Sequence, residues 1–142
     1  MTADLVQFLR ARLDEDEQTA RGTGMPPDWH QGPGDDPEWT SEEMVLMWPP
    51  EFHTPYEQDK HWRGLTAAPA GLAAHIARHD PARTLAEVEA KRQILRAHEK
   101  WCEGRCEAKY PEGGFDAAHY WSVKSLAAVY ADHPDYRQEW RP

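Results

Sequence analysis

Leucines 5, 9 and 13 stand four apart, with Val6 and Phe8 beside them and an acidic run from Asp14 to Glu17 beyond. Side chains four apart share one helical face, so the spacing predicts an amphipathic helix over residues 3–21 with an acidic outer side. The pattern then stops. Residues 22–69 hold eight of the twelve prolines and four of the seven tryptophans; proline removes a backbone donor and fixes φ, which excludes a long helix. Within this insert, "EEMVLMW" at 42–48 reads as the ordered element, a short strand in preference to a helical turn. Trp29, Trp39, Trp48 and Trp62 are expected to pin the insert onto the helices, because each indole buries a large area; the competing reading is an aromatic ligand platform.

Helical periodicity returns at residues 70–103, where "AGLAAHIARH" predicts a short helix and "DPARTLAEVEAKRQILRAHEKWC" a longer one. Asp80 is placed to accept from the second helix's free N–H groups, and Pro81 sits at the first helical position, where its missing donor costs nothing. Leu85, Val88, Leu95, His98 and Cys102 fall on one stripe, widened by Ile94 and Trp101, so His98 and Cys102 face inward. Gly104 breaks the helix and "EAKYPEGGF" reads as a loop. "DAAHYWSVKSLAAVYADH" then reads as a last helix capped by Asp116, with His119, Val123, Leu126 and Tyr130 on its buried face. The tail "PDYRQEWRP" has no period and is expected to lie across the surface through Tyr136 and Trp140.

These elements predict a mainly α fold, a small helical domain with an irregular, short-stranded Pro/Trp-rich insert. A chain of 142 residues is about one domain's worth. The expected organisation is a single domain over residues 1–142: helix 3–21, insert 22–69, helix-corner-helix 70–103, then loop, last helix and tail over 104–142.

Charge narrows the partners. Sixteen basic against 25 acidic residues give a formal charge of -9, which opposes attraction to nucleic acid and to anionic membrane surfaces. Residues 75–105 carry a small basic surplus through Arg78, Arg83, Lys91, Arg92, Arg96, Lys100 and Arg105, expected to be a solvated helix face. No apolar run approaches the roughly 20 residues of a membrane span, and the N-terminus lacks a signal-peptide pattern. A cytoplasmic protein is expected. In a reducing compartment Cys102 and Cys106 read as thiols or metal ligands rather than a disulfide.

His98 and Cys102, four apart on one face, can share an ion, and after the break at Gly104 a loop can return Cys106 to the same point. His119, at the start of the next helix, can approach from across the corner. The set His98, Cys102, Cys106 and His119, spaced His-x3-Cys-x3-Cys-x12-His, suits tetrahedral zinc; the bland reading is two buried thiols and two ordinary histidines.

A second constellation comprises His75 and His79, four apart, with Asp80 and Asp132. It suggests a metal-dependent phosphohydrolase with a His/Asp helical site, although Pro81 makes Asp80 look like a cap. A nucleophilic Cys106 activated by His98 or His119 is a third option. Phosphate-cradling glycine loops, Gly-x-Ser-x-Gly and His-Glu-x-x-His are absent from the sequence.

The segments "DLVQFLRARLDEDEQTAR", "AAHIARHDPARTLAEVEAKRQIL" and "YADHPDYRQEWRP" together resemble an uncharacterised family of small proteins from Streptomyces, related actinobacteria and their phages. The resemblance implies histidine and cysteines after the central helix, matched by His98, Cys102 and Cys106, and a further cysteine just before the last helix, near which this chain has His119. It also implies short strands in the variable segment from Gly22 to Pro69, and no assigned reaction.

Four protein ligands close a zinc shell and leave no position for water, so the expected role is binding rather than turnover. The expected partner is another protein, through the tryptophan-rich segment or the acidic first helix, or a second copy along the leucine seam.

Overall fold

The leucine spacing makes the helix it predicts. In the computed structural model, which describes residues 2–32, 44–47, 64–66 and 69–142, helix α1 runs Thr2–Arg21. It is followed by strands β1 His30–Gln31, β2 Met44–Leu46 and β3 Gly64–Thr66. Helices α2 Ala70–Arg78, α3 Pro81–Trp101, α4 Arg105–Ala108 and α5 Phe115–Ala128 come next, and a 3-10 turn, Gln138–Trp140, ends the series. The fold is mainly α, with a very small antiparallel sheet. Among the described residues, no helix is long and apolar enough to cross a membrane.

The chain divides into two compact units, residues 17–86 and residues 1–16 with 87–142. In the first, the strands pair antiparallel in the order β1-β2-β3, with His30 opposite Leu46 and Val45 opposite Leu65. Val45 and Met47 are buried with Ala73 and Ala77 of α2, and Met25, Trp29 and Ile76 pack around them. The strand expected within 42–48 is therefore present, because its apolar run has a helix face to cover it. Trp29 takes the packing role: its indole N–H donates to the Pro26 carbonyl at 2.8 Å, and its backbone N–H to Asp80 Oδ2 at 3.0 Å. Trp39, Trp48 and Trp62 lie outside the described residues.

The second unit holds the larger core. Leu5, Phe8, Leu9 and Leu13 of α1 are buried with Val88 and Leu95 of α3, Cys102, Cys106, then Tyr120, Val123 and Ala127 of α5, and Tyr136 and Trp140 of the tail. Ion pairs Arg10–Glu99 and Arg92–Asp14 join α1 to α3. The Tyr130 hydroxyl donates to Asp16 at 2.5 Å. Burying this apolar stripe supplies the helices' stability, since isolated helices of such length are marginal in water.

Four local expectations need correction. The loop expected after Gly104 contains α4, a helix too short for a periodic pattern. Asp116 is not the cap of α5: Gly114 precedes that helix, and Asp116, in its first turn, pairs with Lys109 at 3.0 Å. Trp101 does not widen the buried stripe; it is 65% exposed, as is Ile94 to a lesser degree, because the core covers a narrower face than the sequence allows. Tyr136 and Trp140 do not merely cross the surface, since both rings are buried in the core around Phe8.

Candidate metal centre

His98 lies in the last turn of α3, where the Cys102 N–H still donates to the His98 carbonyl at 2.9 Å. Helical geometry thus reaches Cys102 and stacks both side chains on one buried face. The backbone then turns left-handed at two successive residues, Glu103 (φ 47) and Gly104 (φ 79). Glycine adopts that region without the Cβ penalty, which is why the break falls here. The Arg105 N–H returns to the Cys102 carbonyl at 2.9 Å, α4 begins, and Cys106 comes back fully buried. Its backbone N–H donates to Cys102 Sγ at 3.1 Å.

One ligand atom from each of His98, Cys102 and Cys106 lies within 4.8 Å of the other two, and all three residues are buried. His98 Nδ1 is 3.8 Å from Cys106 Sγ. The group is placed to bind a metal ion, and its donor chemistry is compatible with zinc. His119, half-buried near the start of α5, adjoins this trio: its Nε2 is 2.9 Å from His98 Nδ1, with ring centroids 5.0 Å apart. A tetrahedron with bonds of about 2.0 Å to nitrogen and about 2.3 Å to sulfur has edges of about 3.3 Å between nitrogens and about 3.6 Å between nitrogen and sulfur. Both measured separations, each made by His98, are within a few tenths of an ångström of those edges, whereas His119 falls outside the group whose ligand atoms all lie within 4.8 Å of one another.

The electrostatics of these side chains follow from burial. Desolvation pushes the Cys106 thiol up to about 12, with the hydrogen bond and charge of Cys102 adding to it; the Glu107 N–H on the sulfur acts in the opposite sense. His98 is pushed below its ordinary value, first by burial and then by the neighbouring His119. Tyr120 is raised to about 12, again mainly by burial and then by Glu107. Burial thus moves Cys106 away from the thiolate form that an activated nucleophile needs. An ion would instead draw protons off both thiols.

The second constellation has a different local structure. Asp80 Oδ1 accepts from the Arg83 N–H at 2.8 Å and Oδ2 from the Trp29 N–H, so the carboxylate is a helix cap that also fastens the insert. His79 Nδ1 faces the His75 carbonyl at 2.8 Å. Both rings are exposed, and so is Asp132, which belongs to the other compact unit. Among the described residues, His75, His79 and Asp80 do not come together as a metal-holding group.

Two features of the centre were missed by the sequence reading: α4 itself, and the Glu107 N–H on the Cys106 sulfur. An open cleft of about 700 Å³ reaches His98 and carries Glu99, Glu103 and Glu107 on its wall. Their charge favours a cation nearby. Glycine followed by helix-forming "RCEA" was the available signal for the returning turn.

A model of a family of unknown function (DUF6221) matches residues 2–142. No curated protein and no solved structure matches the chain.

Proposed function

The chain belongs to that family of unknown function over residues 2–142, and from its own side chains we propose that it is a binding protein organised by a structural zinc ion on His98, Cys102, Cys106 and His119. The observation that carries this reading is the convergence of the first three ligand atoms within 4.8 Å in a buried setting. Two thiolates with imidazole favour zinc over harder cations such as magnesium or calcium. His119, 2.9 Å from His98 and outside the group that lies within 4.8 Å, would complete a closed shell once its ring moves in towards the two sulfurs. With no coordination position left for water, the ion's task is to fasten the end of α3 and α4 to α5. A reducing compartment such as the cytoplasm keeps both thiols available.

The role that follows is contact with another protein. Trp101, Phe115 and Trp121, on the helices the ion would join, are exposed. Large aromatic side chains of this kind are common anchors in protein interfaces.

Elemental analysis of protein purified without chelator tests the reading, together with melts before and after chelation. About one zinc per chain is expected, with a fall in melting temperature of more than about 5 °C when it is removed. Absence of zinc, or undiminished zinc in Cys102→Ser/Cys106→Ser, overturns it.

A further inference from the structure

We infer that His75 and His79, at the C-terminal end of α2, form a two-imidazole site for an exchangeable late first-row divalent cation such as zinc, nickel or copper. The pair belongs to the compact unit that does not contain His98, Cys102 and Cys106, so it neither draws on the zinc reading nor falls with it.

The geometry is that of a helical chelate. Residues four apart stack on one face of a helix, and here the two rings stand 4.2 Å apart between centroids, with their planes inclined by 31°. Both side chains are exposed, so an ion reaches them without any movement of the core. His79 Nδ1 is 2.8 Å from the His75 carbonyl. A carbonyl oxygen only accepts, so Nδ1 carries the proton and the neutral ring keeps its lone pair at Nε2. Metal-binding histidines are oriented in this way, by donating their other ring N–H to a backbone carbonyl or a carboxylate. Among the described residues, that carbonyl is the one hydrogen-bond partner of either ring, which leaves the remaining nitrogens open to a ligand.

The surroundings select the kind of ion. His79 caps α2, and its backbone N–H reaches back to the His75 and Ile76 carbonyls at 3.2 and 3.1 Å; the C-terminal end of a helix carries partial negative charge, which favours a cation. Arg78, in the same turn, opposes it. The site is therefore weaker than the buried centre and gives up its ion on dialysis. Asp80 does not join the pair, because its carboxylate oxygens accept from the Arg83 and Trp29 N–H groups. Magnesium and calcium prefer oxygen donors, whereas imidazole suits zinc, nickel and copper. With two protein donors, the other coordination positions stay with water, and the ion exchanges.

The test is a zinc titration of the full, ¹⁵N-labelled chain, followed through the imidazole nitrogens of His75 and His79 and assigned with His75→Gln and His79→Gln. Both imidazoles should move saturably with one shared affinity, while His79 Nδ1 keeps its proton. Each single variant should bind at least about tenfold more weakly at this site, since the second imidazole acts at high effective concentration. Both positions are exposed, so the variants should keep the backbone spectrum of the parent. Zinc taken up by the His98 centre appears separately, at the His98 and His119 resonances. Movement of only one of the two imidazoles overturns the proposal. So does undiminished affinity in both folded single variants, an equal response to magnesium, or the absence of saturation up to about 1 mM zinc.

Discussion

The Cys106 backbone N–H donates to Cys102 Sγ at 3.1 Å, so the turn that reverses the chain also orients one thiol and delivers the other. The arrangement depends on left-handed backbone at Glu103 and Gly104. A cysteine four residues beyond another would lie one turn further along an unbroken helix; here it returns to the same buried point.

Gly104→Ala isolates that turn. Nothing lies within 4 Å of the added Cβ, so its cost is conformational, about 1 to 2 kcal/mol for an L-residue held in the left-handed region. Denaturant melts should register that loss, and zinc affinity should fall with it. Gly104→Asn should lose less, because asparagine tolerates the region better.

His119→Ala distinguishes a four-ligand shell from a three-ligand one. Removing the imidazole 2.9 Å from His98 should weaken zinc binding by at least about tenfold in a chelator-competition titration. An unchanged affinity would assign His119 a neighbouring role and leave a position open on the ion.

Asp80→Ala should cost about 1 to 2 kcal/mol, the usual loss of a helix cap, since it also strips the Trp29 N–H of its acceptor. Zinc content should be unaffected, because Asp80 is in the other compact unit. Calorimetry with metal analysis checks both parts.

Alkaline pH should destabilise the fold through its buried phenols. Burial pushes Tyr130 up from its ordinary value of 10.0, with the Asp16 hydrogen bond adding to it, and raises Tyr120 to about 12. Above pH 10 the unfolded chain sheds phenolic protons that the folded chain keeps, so the unfolded state binds fewer protons and stability falls as pH rises. The contribution is fully present below pH 10 and lost progressively from there towards pH 12. Tyr130→Phe should flatten that decline in melts taken from pH 9 to 11.

Local periodicity made much of this legible. Leu5, Leu9 and Leu13 mark a buried face, Asp80-Pro81 marks a helix start, and the four-residue step from His98 to Cys102 places both inward. Other features arise from contacts between distant segments. Trp101 has helical spacing for the core but stays exposed. Asp116 has a cap's composition, yet Lys109 holds its carboxylate. The packing of Arg12, Tyr136 and Trp140 around Phe8 joins positions at opposite ends of the sequence, which no repeat or motif signals.

Zinc K-edge absorption on the purified chain tests the central claim most directly. The account predicts a four-ligand shell with two sulfurs at about 2.3 Å and two imidazole nitrogens at about 2.0 Å; a shell without sulfur, or no zinc edge in protein never exposed to chelator, would contradict it.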